Sequence, residues 1–283
     1  MWRRRKKNVK RVAYLGPPGT FSEEAALLYD KTAQLTPLPS VPAVAAAVGS
    51  GMAEEGVVAI ENSLEGSVND TLDLLIHESK VLIKKELVLP IEHHLLAKPG
   101  TESSDVTVIF SHPQPLGQCR RFIECCFPKA QVVAALSTAA AVQEMMESTH
   151  PGAAIGTARA AELYGASVLA RDIQDQASNV TRFVVLALAD HPPTGFDKTS
   201  LCFSFAEDRP GALHEVLQEF AARRINLAKL ESRPSKESLG RYFFLLDLEG
   251  HREDPPVKEA LERIEQKTAL LKIFGSYPRY TEE

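Results

Sequence analysis

The chain has 283 residues, is 44% hydrophobic and 24% charged, and carries a net charge of -5 at pH 7. That length favours two domains over one, and the acidic balance excludes a nucleic-acid partner, which needs a basic face. A small anionic ligand stays compatible where local N–H donors and dipoles outweigh the global sign.

The chain opens with MWRRRKKNVKR, read as a solvated basic tail over residues 1–10. No apolar core follows it as a secretory signal requires, and no run approaches the roughly 18 apolar residues that span a bilayer. A cytoplasmic protein with no membrane partner is expected. The cysteines, Cys119, Cys125, Cys126 and Cys202, match no zinc spacing and are read as reduced thiols. His93 and His94 form the only histidine pair. Neighbours on a strand face opposite ways, so no metal is expected.

Residues 11–190 alternate short strands with helices. Strands are expected at 11–16, 57–60, 106–110, 131–136, 153–156, 168–171 and 182–188. After Gly16-Pro-Pro-Gly19 comes Thr20-Phe21-Ser22-Glu23, which fits a capping box: Thr20 accepts from the first turn and Glu23 reaches back. Val68, Leu72, Leu75 and Ile76 share one face of a helix after residues 61–63, and Ser137-Thr138 caps an alanine-rich helix. The alternation implies an α/β fold with a mainly parallel sheet covered on both faces. The extended segment 81–98 contains no helix, so it is expected to cross between two lobes, with the strand near Thr181 crossing back. Residues 191–197, rich in Pro and Gly, read as a linker.

Beyond it, residues 198–283 change pattern. Strands at 199–205, 226–232, 241–248 and 273–277 alternate with helices at 210–224 and 257–271, the order βαββαβ of a ferredoxin-like domain. Its edge strands would be left uncovered, so pairing between two chains is expected.

Ligands of open sheets bind beyond the carboxyl ends of strands. Five polar clusters fall at such ends: residues 16–22, Glu61-Asn62-Ser63, residues 111–114, Ser137-Thr138 and residues 179–182. Each alone has a plainer reading: Thr20 and Ser137-Thr138 as caps, Glu61 as a surface acid and His112-Pro113 as a turn. Together they share one edge of the fold, where helix N-termini would hold an anion without lysines.

At these clusters the sequence resembles prephenate dehydratase, through GPPGTFSE (16–23), ENSLEGSVNDTLDLL (61–75), SHPQPLGQC (111–119), STAAAV (137–142) and NVTRF (179–183). The tail resembles an ACT regulatory domain through PGAL (210–213) and NLAKLESRP (226–234), with Ala228 where the family commonly has threonine. No chorismate mutase helices precede the blocks, so the resemblance is to the monofunctional form. It implies a two-lobed, periplasmic-binding-protein-like catalytic domain over 11–190 and an ACT domain over 198–283. The implied reaction is the cofactor-free loss of water and carbon dioxide from prephenate, giving phenylpyruvate for phenylalanine biosynthesis.

By the same resemblance Thr181 is the catalytic hydroxyl, a donor or proton relay to the departing oxygen. Glu61 would supply the proton if burial raises its pKa. Asn62, Ser111 and Gln118 are candidate donors to carboxylate or hydroxyl. Thr20, Ser63, Thr138 and Arg182 are candidate substrate contacts. Phenylalanine would act as feedback effector at an ACT interface formed by Gly211, Ala212, Leu213, Asn226, Leu227, Glu231, Ser232, Arg233 and Pro234, in a homodimer or homotetramer. Two rivals stay open: arogenate dehydratase, and a catalytically silent amino-acid sensor.

Overall fold

The computed structural model describes residues 9–78, 80–207, 209–236 and 241–281. Residues 1–8, most of the expected basic tail, lie outside them. A first lobe is built from β1 (Arg11–Leu15), α1 (Phe21–Tyr29), β2 (Gln34–Leu38), α2 (Val41–Gly49), β3 (Glu55–Asn62), the short β4 (Gly66–Ser67), α3 (Asn69–Asp73) with its π-helical continuation (Leu74–Glu78), and β5 (Leu82–Pro90). A second lobe carries β6 (His94–Ala97), β7 (Val108–Ser111), α4 (Pro113–Gln118), α5 (Arg120–Cys126), β8 (Gln131–Ala134), α6 (Thr138–Glu147), β9 (Gly152–Gly156), α7 (Ala158–Tyr164) and β10 (Ser167–Ala170). After β11 (Val180–Ala187) come β12 (Asp197–Ser204), α8 (Ala212–Ala222), β13 (Leu227–Pro234), β14 (Tyr242–Glu249), α9 (Pro255–Glu265) and β15 (Leu270–Pro278).

The lobe sheets have the orders β2-β1-β3-β11-β5 and β10-β6-β9-β7-β8, and the C-terminal sheet is β13-β14-β12-β15. The segment 81–98 does cross between lobes, β5 lying in the first sheet and β6 in the second, and β11 returns to the first. Those crossings overturn the expectation of mainly parallel sheets. β2, β1 and β3 run parallel, as do β8, β7 and β9, but β11 is antiparallel to both β3 and β5, and β6 to both β9 and β10. Strands that pass directly from lobe to lobe carry no crossover helix, and parallel neighbours need one.

The segment 34–49, where no element was expected, forms β2 and α2, with Val41, Val44, Ala45 and Val48 on one buried helix face. Pro37 is tolerated because β2 is an edge strand, and Ser40 caps α2 by accepting from the Ala43 amide at 3.2 Å. The last helix was expected to reach residue 271 but α9 stops at Glu265. Thr268 Oγ1 then donates to the Ile264 carbonyl at 2.9 Å, and Leu270 and Leu271 pair with β12. Leu271 belongs to a strand that happens to keep the helix period.

β11 alternates between two cores. Phe183 and Val185 pack with Val12, Tyr14 and the α1 alanines, while Val184 and Leu186 pack with Cys202, Phe243, Leu245, Phe274 and Tyr277 of the C-terminal sheet. The face of that sheet opposite α8 and α9 is thus buried on the first lobe. One strand has its two faces in two different compartments.

Candidate active site

A cavity of about 350 Å³ opens between the lobes. The first lobe contributes Gly16, Thr20, Phe21, Ala59, Asn62, Thr181 and Phe183; the second contributes His112, Gln114, Gln118, Ser137 and Thr138; Ile91 and His93 come from the crossing segment. β1, β3, β7 and β8 all end here, and β11 enters here because it runs antiparallel to β3. No lining residue among those described is Asp, Glu, Lys or Arg. The lobes are tied beside it by Thr157 Oγ1, which donates to the Gly19 carbonyl at 3.1 Å, and by Arg159 on Glu23 at 3.2 Å.

At its centre Asn62 Nδ2 donates to Thr181 Oγ1 at 2.8 Å and to Asn179 Oδ1 at 2.8 Å. Asn62 cannot present its oxygen instead, because Oδ1 accepts from the backbone N–H groups of Leu64 and Glu65, both at 3.0 Å. With Thr181 Oγ1 already accepting, its own hydrogen has no acceptor among the described residues and is available to the cavity. Asn179 Nδ2 donates in turn to Gln118 Oε1 at 3.0 Å, so the threonine hydroxyl is linked to the second lobe.

Thr20 and Thr138 also line the cavity, at the starts of α1 and α6. Ser137 caps α6 as expected, accepting from Ala140 at 3.0 Å. The capping box at α1 is not formed. Thr20 Oγ1 donates to the Pro17 carbonyl at 3.0 Å, and Glu23 reaches one residue further back, to the Gly19 amide. The tight turn at residues 16–19 brings that amide within reach.

Four expected site residues lie elsewhere. Glu61 leaves the cleft because of a β-bulge: Arg182 pairs with Glu61 but Phe183 pairs with Ala59, which makes Ile60 an extra residue. Regular alternation would have put Glu61 beside Ala59 in the cavity; the bulge sends it to the opposite face and brings Asn62 in. There Glu61 meets Arg182 at 2.7 Å and Lys229 at 3.1 Å. Burial pushes its carboxyl up, but Arg182 and Lys229 more than offset this and hold it below the ordinary value. Glu61 is therefore ionised, the reverse of what a proton donor needs. Arg182 sits on the same outer face, against Asp247 at 3.0 Å and Glu86 at 3.4 Å. Burial alone would lower its pKa, but Asp247, Tyr277, Glu86 and Glu61 raise it, so it stays a cation out of reach of the cavity. Ser111 is fully buried and donates to the Ile155 carbonyl at 2.9 Å. Ser63 Oγ donates to the Ser178 carbonyl at 3.3 Å and accepts from the Val180 amide at 3.0 Å, holding the start of β11.

Sequence reasoning missed His93. It was weighed only as half of a chelating pair, while its ring lines the cavity with Nε2 at 2.9 Å from Gln118 Oε1. Its neighbour His94, the first residue of β6, lies instead beside Asp172. His94, Glu92 and Asp172 each bring one ligand atom within 4.8 Å of the others, but His94 Nδ1 already accepts from the Asp172 amide at 3.2 Å.

The expected effector residues divide between the two faces of the C-terminal sheet. Glu231 accepts from Ser67 Oγ at 2.5 Å, and Arg233 meets Asp73 at 2.8 Å, both on the first lobe. Gly211, at φ +85°, precedes α8 and Ala212 begins it, with Leu213 and Leu227 packed into the helix-side core. The Asn226 carbonyl accepts from the Glu249 amide at 2.9 Å, and Ser232 and Pro234 on β13 are exposed.

Fold and site together define a two-lobed α/β enzyme with an uncharged, donor-lined cleft and a ferredoxin-like regulatory unit docked on the outer face of the same sheet. Residues 12–191 match the family described as prephenate dehydratase, and residues 202–266 match the ACT domain. The chain belongs to the prephenate dehydratase family. It is 44% identical over 270 residues to the bifunctional chorismate mutase/prephenate dehydratase of Aquifex aeolicus, an alignment covering 95% of this chain and 74% of that one. Among solved structures it is similar to prephenate dehydratase in complex with L-Phe from Arthrobacter aurescens, at TM-score 0.88 and 37% identity over 95% of this chain and 90% of that one. It is also similar to GqqA, described as a quorum quenching acylase, at TM-score 0.87 and 32% identity over 96% and 98% of the two chains. One frame thus accompanies two different activities, so the chemistry must be argued from the cleft. Among the described residues no helix is long and apolar enough to cross a membrane.

Proposed function

We propose that the cleft converts prephenate to phenylpyruvate with the Thr181 hydroxyl as donor to the departing C4 oxygen. The observation that carries this is the 2.8 Å bond from Asn62 Nδ2 to Thr181 Oγ1, whose fixed polarity frees the threonine hydrogen for the substrate. In the reaction the bond between the ring and its carboxylate breaks and releases carbon dioxide. Its electron pair moves through the diene as the C4–O bond breaks, and hydroxide leaves with a proton as water. A threonine hydroxyl is too weak an acid to ionise, so it stabilises the oxygen as charge develops and relays a solvent proton. In a cavity without formal charges such a preoriented donor acts at low dielectric and needs no reorganisation. The first-turn amides of α1 and α6, together with Thr20, Thr138 and the Gln118 amide, are placed to hold the two carboxylates. The electron sink is the ring itself, so no cofactor enters this mechanism.

The same reading makes residues 11–190 the catalytic unit and residues 198–283 a sensor of phenylalanine, working in the cytoplasm. A second copy is proposed to pair along β13, an edge of the C-terminal sheet, and to complete the effector pocket across the two chains. Sedimentation with and without phenylalanine tests that assembly; a monomer under both conditions would oppose it.

The test of the reaction is to incubate the purified chain with prephenate and with arogenate separately, and to follow phenylpyruvate and phenylalanine. Turnover of prephenate well above arogenate is expected. Preference for arogenate would transfer the proposal to that substrate, and no turnover of either would favour a silent sensor.

A further inference from the structure

The polarity of the amide chain around Thr181 continues one residue beyond the substrate groups. Gln118 Oε1 accepts from Asn179 Nδ2 at 3.0 Å, and the same oxygen lies 2.9 Å from His93 Nε2. An oxygen offers only lone pairs, so Nε2 must carry the imidazole hydrogen. Nδ1 is enclosed and meets no partner among the described residues, so nothing there draws the hydrogen away. The Nε2 contact therefore selects the neutral Nε2–H form.

The ring is held without using Nδ1. The His93 amide donates to Gln174 Oε1 at 2.9 Å, its carbonyl accepts from the Ile173 amide at 2.9 Å, and its edge meets Phe21 with ring centres 5.5 Å apart. His93 lies between β5 and β6, where the chain passes from lobe to lobe, and Gln118 ends α4 in the second lobe.

We infer that His93 is a positioning residue, which pins Gln118 Oε1 to the Asn179–Asn62–Thr181 chain and so leaves the Gln118 amide nitrogen as the donor offered to substrate. Among the described residues that nitrogen is otherwise held only by a 3.4 Å bond to Glu65. Without the histidine, the Asn179 bond alone still selects the orientation of the Gln118 amide. The flipped form sets two N–H donors face to face at Asn179 and turns an oxygen toward an anionic substrate. The inference rests on the reading of the cleft as the prephenate site.

The experiment is a double-mutant cycle on prephenate turnover, with His93→Leu, His93→Gln, Gln118→Ala and His93→Leu/Gln118→Ala. His93→Leu should lower kcat/KM by about 10- to 100-fold, the scale of a misplaced binding group. His93→Gln should restore most of it, because a glutamine amide supplies a donor near the position of Nε2. In the Gln118→Ala background, His93→Leu should cost nothing more. Losses that multiply in full, wild-type kinetics in His93→Leu, or failure of glutamine to rescue would each overturn the inference. Long-range ¹H–¹⁵N correlation on the unmutated enzyme reads the tautomer without any folding risk: Nε2–H is expected, and Nδ1–H overturns it. No turnover of prephenate by the unmutated enzyme would sink the reading of the cleft and this one with it, whereas Gln118→Ala with wild-type kinetics, or an impaired Gln118→Ala beside a normal His93→Leu, sinks this one alone.

Discussion

Thr181 and Arg182 are consecutive on β11 and face opposite compartments: the threonine meets Asn62 at 2.8 Å in the cleft, and the arginine meets Glu61, the residue before Asn62, at 2.7 Å against the C-terminal unit. The pair of residues that would do the chemistry is back to back with the pair that binds the regulatory sheet. Arg182 also meets Asp247 on β14, and Glu61 meets Lys229 on β13. A shift of the C-terminal sheet therefore acts on two peptide units that carry cleft side chains on their other face.

The chemical half of this arrangement predicts that Thr181→Ala lowers kcat by roughly 10²-fold or more, the scale of a lost positioned donor, while substrate binding largely survives. Thr181→Ser, which keeps the hydroxyl, should recover most of the rate. Steady-state kinetics on prephenate check both, and an unchanged kcat in the alanine variant would remove Thr181 from the mechanism.

Glu61→Gln separates the two faces. The carboxylate lies outside the cavity and is held ionised by its cations, so its loss should fall well short of the roughly 10²-fold drop expected for an acid–base group. Stability should change instead. With its folded pKa below the ordinary 4.5, Glu61 contributes stabilisation that is present above that value and lost as pH falls through the folded one. Urea unfolding between pH 3 and 7 should therefore show a shallower acid slope for the variant, and an equal slope would argue against the ion pairs.

These two residues also mark the limit of what the sequence discloses. The cluster at residues 179–182 was legible only beside the other four, since alone it reads as ordinary strand, and Asn62, Gln118, Thr20 and Thr138 do meet around one cavity. The side on which Glu61 emerges was not legible. It depends on the bulge at Ile60, which exists only in the pairing of β3 with a strand some 120 residues later, an offset visible in the Arg182–Glu61 bond. Strand direction was hidden for the same reason, because β11 and β5 acquire their sense from the lobe crossing. His93 had no local signal: its role comes from Gln118 in another element, and a neutral imidazole beside an amide leaves no pattern in sequence.

The regulatory half predicts that Lys229→Met weakens phenylalanine inhibition. Lys229 bridges Glu61 and Glu231 at 3.1 and 3.2 Å and donates to Ser67 at 2.7 Å, so it joins three points of the contact between the units. A shallower inhibition curve, with a matching loss in how far substrate shifts phenylalanine affinity, is the expected outcome, since the coupling is reciprocal. Calorimetric titration of phenylalanine with and without a non-turned-over substrate analogue measures it. Full coupling in the variant would place the path elsewhere.

His93 predicts a second pH dependence. Burial holds its pKa below the ordinary 6.5, as it does for His94, where Arg171 adds to the effect and Asp172 opposes it. The unfolded chain then takes up protons that the folded chain refuses. Stability is fully present above 6.5 and declines as pH falls toward the folded values. His93→Gln should flatten part of the decline between pH 7 and 5, leaving the His94 share, as read from urea midpoints. An unaltered pH slope would mean that the ring is not held neutral.

Gly275 tests the docking of the two units by packing alone. It lies on β15 at φ +151°, where a side chain is strained, and an added Cβ would stand 2.2 Å from the Ile83 carbonyl of β5. The Ile83 atoms it would meet are backbone, and a Cβ has no rotamer, so nothing short of a backbone shift relieves it. Gly275→Ala should force β15 and β5 apart and cost about 1–3 kcal/mol, lowering the thermal midpoint by several degrees. Because the same approach seats the C-terminal sheet behind β11, the phenylalanine response should weaken together with stability. A variant that melts earlier yet keeps full inhibition would show that the sheet transmits its signal through the Arg182 and Lys229 contacts without needing the close β15–β5 seat.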